Sequence, residues 1–159
     1  MLQRKQTLFL LGVVICMSIT AVLPVWNYTT GTASVSLEMG ILTYTDNEGT
    51  DILGSVNFLY LLGIAITGGI VGLINIFKFN NRKMQMKISM LNSLLIITYI
   101  VISYLFVPKQ AADLLGVQVT GFHFQYGFFF TVVALVFNIL ARVFIKKDED
   151  LVRSVDRLR

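Results

Sequence analysis

Three asparagines, Asn75, Asn92 and Asn138, stand inside long apolar stretches of this 159-residue sequence, where a polar side chain costs free energy unless it is hydrogen-bonded. An amide donates and accepts hydrogen bonds and can offer its oxygen to a cation, but it carries no titratable proton. Proton-coupled transport and acid-base catalysis at such depth call for carboxylates, lysines or histidines, and the interiors of these stretches hold none. Two readings of the amides follow. Interhelical hydrogen bonds, worth about 0.6 kcal/mol each on average, are the plainer one; a polar site for a small ligand or ion is the other. Ser89, Ser93 and Thr20 share the plainer reading.

The remaining reactive residue types are isolated. Cys16 is the only cysteine, which excludes an intramolecular disulfide and a zinc site built from cysteines, and its apolar surroundings suit a small buried side chain better than a nucleophile. His123 is the only histidine and has no second histidine or cysteine with which to share a metal. No catalytic residue, cofactor site or metal site is read from this pattern, and the chain is not expected to be an enzyme.

The elements that position these residues follow from hydropathy. Hydrophobic residues make up 55% of the chain and charged residues 14%, with a mean hydropathy of +0.74, too apolar for a domain solvated only by water. The apolar residues gather into four blocks, at about 7–26, 55–77, 88–107 and 124–145, each near the roughly 20 residues that cross a hydrocarbon core about 30 Å thick. The expected fold is an all-α membrane protein: one domain over 1–159, a bundle of four transmembrane helices. The first block is expected to be retained as a span, because no small-residue cleavage signal follows it. Arg142, the one charge in the fourth block, lies close enough to its end to snorkel.

Charge sets the orientation. With the N-terminus inside, Arg4 and Lys5, then Lys78, Arg82, Lys83 and Lys87 of the loop 78–87, then Arg142 and the cations of the tail 146–159 all face the cytoplasm. Of the 13 basic residues only Lys109 is left outside, a strong positive-inside asymmetry. Both termini are therefore expected in the cytoplasm, with outer loops at 27–54 and 108–123. The basic balance suits an anionic lipid leaflet and no nucleic-acid partner is expected. Trp26, Tyr28, Phe124 and Tyr126 are read as aromatic anchors at the outer boundary.

Between Tyr28 and Asp51 apolar and polar residues roughly alternate through Val35, Leu37, Met39, Ile41 and Tyr44, the period of a half-buried strand. With a turn at Asp46-Asn47-Glu48-Gly49 and a return strand near Thr50–Leu53, this predicts a small extracytoplasmic β-hairpin. Gln110–Leu115 is read as one helical turn ending at Gly116. In the second block Ala65, Gly68, Gly69 and Gly72 give the small-xxx-small spacing that lets helix backbones approach closely; a neighbour within the chain is favoured, and a second copy, making a homo-oligomer, is the alternative. In the tail, Leu151, Val155 and Leu158 form one apolar stripe at helical spacing, with Glu149 and Arg153 paired at i and i+4. That stripe predicts a cytoplasmic C-terminal helical extension, either a solvated helix end or a docking face for a protein partner.

Both ends of the chain also resemble a known family. Met1-Leu2-Gln3-Arg4-Lys5-Gln6-Thr7 and Ile145-Lys146-Lys147-Asp148-Glu149-Asp150-Leu151-Val152-Arg153-Ser154-Val155-Asp156-Arg157-Leu158-Arg159 look like the termini of small bacterial four-helix membrane proteins catalogued as domain of unknown function 4293. The resemblance implies a bacterial inner-membrane location and supplies no activity or site residue. The function expected is that of an accessory or scaffold protein, with membrane lipids around it and protein partners at the outer hairpin or the tail. A small transporter, channel or lipid-binding protein is the alternative, and it calls for a polar cavity lined by the asparagines.

Overall fold

The computed structural model describes residues 5–30, 33–46, 52–109 and 123–156. Four helices dominate it. Helix α1 (Lys5–Val22) leads into strands β1 (Trp26–Thr30), β2 (Ala33–Glu38), β3 (Ile41–Asp46) and β4 (Ile52–Asn57), followed by α2 (Leu59–Phe77) and α3 (Arg82–Val101). A single π-helical turn, Ile102–Phe106, carries α3 onward. There Ser103 Oγ donates to Tyr99 O at 2.7 Å, a side-chain bond that competes with the backbone ladder. The two-residue strand β5 (His123–Phe124) then leads into α4, a helix of 31 residues over Tyr126–Asp156.

Each helix packs on two others, α1 on α2 and α4, α3 on α2 and α4, so the four close into a ring in chain order, as short antiparallel connections favour. Polarity runs opposite to that of a water-soluble bundle. Gln6, Thr20, Asn75, Gln85, Ser89, Asn92, Thr131 and Asn138 are buried, while Leu8, Ile15, Ile66, Ile70, Met90, Leu94, Phe129, Val136 and Ile139 are exposed. Three helical stretches are long and apolar enough to cross a membrane: Leu59–Phe77, Arg82–Lys109 and Tyr126–Val152.

The first predicted span is the exception. With its 18 residues, α1 is about 27 Å long at a rise of about 1.5 Å per residue, just under a typical hydrocarbon core. It ends where Pro24 follows, since the residue before a proline is pushed out of the helical region. The apolar run continues into β1, so Val25 and Trp26 belong to the sheet layer and not to the helix.

That layer is larger than the predicted hairpin. It is a five-stranded antiparallel sheet in the order β4-β3-β2-β1-β5. The alternating run read as one strand is two, folded at Met39-Gly40 with φ of 50° and 71°. Positive φ at both central residues is the requirement of a two-residue hairpin turn whose twist matches its strands, and it aligns Glu38 with Ile41. One face bears hydroxyl pairs across β2 and β3, Ser34 with Thr45 at 2.8 Å and Ser36 with Thr43 at 2.9 Å. The other face carries Val35, Leu37 and Leu42, which join Trp26, Met17, Leu61, Ala65, Ile96 and Ala134 in one buried cluster. The sheet therefore closes one end of the bundle, hereafter the sheet end; the α2–α3 turn marks the other. Asn47–Asp51, and with them most of the predicted turn, lie outside the described residues, as does the predicted helical turn Gln110–Gly116.

Candidate functional site

The asparagines line the inner face of the half of the bundle nearer the α2–α3 turn. Asn75 of α2 donates through Nδ2 to Ser89 Oγ at 2.8 Å. From α4, Asn138 Nδ2 donates to Ser89 O at 2.7 Å and to Ser93 Oγ at 2.8 Å. Ser89 of α3 is thus the meeting point of two of the three amides. Gln85, one turn away on the same face of α3, donates through Nε2 to Asn75 O at 2.9 Å. The backbone carbonyls Ser89 O and Asn75 O only accept, which fixes the nitrogen side of Asn138 and Gln85. Sequence reading passed over Gln85 because it precedes the apolar block at Ile88; α3 starts six residues earlier, at Arg82, which puts Gln85, Ser89 and Asn92 on one stripe at i, i+4 and i+7.

Asn92 stands apart from this network. Its side chain is 1% exposed, yet neither Oδ1 nor Nδ2 has a hydrogen-bond partner among the described residues. It rests against α2, where Cβ atoms built on Gly68 and Gly72 would lie 3.6 Å from Oδ1 and 3.7 Å from Nδ2. The structure thus joins Asn75 and Asn138 through Ser89 and leaves Asn92 against glycine backbone.

The small-residue face of α2 meets α1 of the same chain. Ala65, Gly68, Gly69 and Gly72 are all buried; a Cβ on Gly68 would sit 3.0 Å from Met17 Cε, and one on Gly72 3.3 Å from Val14 Cγ2. A second close approach, absent from the sequence reading, lies at the sheet end. There Gly127 N donates to Pro24 O at 2.9 Å, and a Cβ on Gly127 would come within 2.7 Å of that oxygen. Thr131 Oγ1 donates to Gly127 O at 2.9 Å, and Thr20 Oγ1 pairs with Thr131 Oγ1 at 3.1 Å, pinning α1 to the start of α4.

The four aromatic residues read as boundary anchors separate into different roles. Tyr126 is 70% exposed and Phe124 37% exposed, with Phe124 stacked on Phe128 at 4.1 Å between centroids. Tyr28 is half-buried in β1. Trp26 is 1% exposed and packed in the core beneath the sheet, because the strand that follows Pro24 turns its ring inward. His123 is exposed and faces Asn27 in the β1–β5 register, and Cys16 is buried. Among the described residues no group of three His, Cys, Asp or Glu is arranged to hold a metal ion.

At the opposite end α4 runs on past the α2–α3 turn. Leu151 is 66% and Val152 44% exposed; the side chain of Val155 and the whole of Leu158 lie outside the described residues. Arg82 Nη1 donates to Asp148 O at 2.6 Å, tying the first turn of α3 to α4. Beside this bond opens a cleft of about 520 Å³ lined by Phe79, Asn80, Asn81, Arg82, Lys83, Glu149 and Val152. A second, apolar groove between α1 and α2 is lined by Val14, Ser18, Ala65, Ile66, Gly69, Ile70 and Leu73. Neither is lined by Asn75, Asn92 or Asn138.

Residues 2–158 match the family described as Domain of unknown function (DUF4293). No curated protein and no solved structure matches the chain.

Proposed function

We propose that this chain, which belongs to the DUF4293 family, is a non-enzymatic accessory or scaffold protein that crosses the bacterial inner membrane four times, keeps both ends in the cytoplasm and binds other proteins at its projecting ends. The observation that carries the reading is the length of α4. Its 31 residues span about 46 Å at about 1.5 Å per residue, against a hydrocarbon core of about 30 Å. More than two turns stand clear of the bilayer, presenting Leu151 and Val152 to solvent.

Supporting this are the charge asymmetry, which favours the α2–α3 turn and the end of α4 on the cytoplasmic side, and the place of α1 in the ring between α2 and α4. A helix there shares their surroundings, and its small shortfall in length costs only fractions of a kcal/mol per Å of bilayer thinning. The buried polar side chains among the described residues are amides and hydroxyls, a set suited to joining helices. A transporter or channel calls for a cavity between Asn75, Asn92 and Asn138; the Nδ2 atoms of two of them are instead bonded directly at Ser89, while the Oδ1 atoms of all three are buried without a hydrogen-bond partner among the described residues.

Crosslinking in native membranes, followed by affinity purification of the full chain, tests the reading beside a variant carrying Leu151→Ser, Val155→Ser and Leu158→Ser. A stoichiometric partner captured by the intact chain and lost with the variant is expected. Recovery of the intact chain alone would overturn the docking role.

A further inference from the structure

We infer that the cleft between the α2–α3 turn and the end of α4 is a specific site for the phosphodiester headgroup of an anionic glycerophospholipid. The inference rests on the membrane orientation proposed above, and goes beyond it by assigning a ligand to a particular set of residues.

Three features of the cleft converge on this chemistry. It is an open cleft sized for a headgroup: the bond from Arg82 to Asp148 O links its walls, and about 520 Å³ falls in the range of about 300–1,000 Å³ common to small-molecule sites. Its lining includes two cations, Arg82 and Lys83, and one acid, Glu149, the middle of the run Asp148-Glu149-Asp150 on α4, and Asn80 and Asn81 add amides that can donate to phosphate oxygens. Asn81 Oδ1 already caps Met84 N at 3.1 Å, so the dipole of the capped first turn of α3 adds to the positive field. Finally, the cleft lies next to the last turn of an apolar helix. Phe77, the final residue of α2, is 70% exposed, and Phe79 lies in the lining itself. A free phosphate has no use for that apolar border, whereas a lipid places its glycerol and acyl chains along it while its phosphate meets Arg82 and Lys83.

Glu149 makes the site tunable. Its carboxylate opposes an anion, so removing that charge strengthens binding, a change of the opposite sign to the loss of Arg82 or Lys83.

Native mass spectrometry of the detergent-purified full chain tests the assignment, with phosphatidylglycerol, phosphatidylcholine and soluble glycerol phosphate as probes. Phosphatidylglycerol is expected to bind at one saturable site in preference to phosphatidylcholine. The pair Arg82→Gln and Lys83→Gln should weaken it about thirtyfold, Lys146→Gln with Lys147→Gln much less, and Glu149→Gln should tighten it. Equal loss from the two double variants would reduce the effect to diffuse electrostatics and overturn the site, as would equal binding of the two lipids. Glycerol phosphate bound as tightly as the lipid would overturn the lipid assignment in favour of a phosphate site. Should the Arg82 variant not fold, Glu149→Gln decides alone, and unchanged or weaker binding there overturns the proposal. A chain that stays soluble without detergent would instead sink the membrane reading beneath it.

Discussion

Replacing Asn92 with leucine should make the protein more stable. Asn92 is buried to 1% exposure, and both polar atoms of its amide lack hydrogen-bond partners among the described residues, so Asn92→Leu gives up no bond. Leucine has the same number of side-chain heavy atoms in the same branching, and the neighbours of the Asn92 amide on α2 are Gly68 and Gly72, beside the apolar side chains of Val13, Val14 and Met17. Relieving one unsatisfied buried polar group is worth about 1–3 kcal/mol. At about 2–4 °C per kcal/mol for a chain of this size, the thermal midpoint in detergent should rise by several degrees. The control with the opposite sign is Thr20→Val. It removes the one hydroxyl proton that Thr20 Oγ1 shares between Gly127 O and Thr131 Oγ1 while keeping the side-chain shape, at a cost of about 0.6 kcal/mol for one interhelical bond. Differential scanning fluorimetry of the two variants beside the parent reads both signs. If Asn92→Leu lowers the midpoint as far as Thr20→Val does, the amide has a partner of its own. The polar stripe of α3 would then have to be treated as a ligand or ion site and not as helix-joining structure.

Gly127→Ala should destabilise the fold by about 1–3 kcal/mol, since the new methyl would lie 2.7 Å from the backbone oxygen of Pro24; a melting curve by circular dichroism checks it. Gly72→Leu should lower the midpoint through contact with Val13 and Val14 and leave the oligomeric state unchanged by light scattering, whereas dissociation of an oligomer would mean that this face joins two copies. Met39→Asn should raise stability by up to about 1 kcal/mol, because Met39 at φ 50° occupies the left-handed region that asparagine tolerates better, and the same melting assay reads the gain.

The helices are legible in the sequence because a stretch that shows apolar residues outward and packs them inward must be apolar nearly all round, which hydropathy detects directly. The end of α1 is less legible. Val25 and Trp26 continue the apolar run without a break, and only Pro24 marks the change from helix to strand. Trp26 illustrates the cost: an aromatic residue at the end of such a run looks like a boundary anchor, and the sheet that covers it forms from pairing partners distant in sequence. The hairpin turn is hidden for a related reason. Met39-Gly40 lacks the Asn-Gly or Asp-Gly pair that advertises two residues of positive φ, so alternation through it reads as one strand. Strand β5 is two residues long and exists through its register with Trp26 and Asn27, which no local pattern encodes. Within the candidate site, the depth of the three asparagines was readable from their places in the blocks. That Asn75 and Asn138 converge on Ser89, while Asn92 turns to the glycines of α2, depends on the rotation of each helix about its axis.

Orientation in the membrane is the claim on which the tail docking face and the lipid cleft both depend, and the lone cysteine makes it directly measurable. In a Cys16→Ser background, Ser55→Cys places a thiol on the exposed part of β4 and Ser154→Cys places one on the exposed end of α4. Labelling intact spheroplasts with a membrane-impermeant maleimide should modify the first at once and the second only after the membrane is opened. Immediate labelling at Ser154→Cys with protection at Ser55→Cys would invert the topology, and equal labelling of both in sealed spheroplasts would contradict the three crossings, an odd number, that the account places between Ser55 and Ser154.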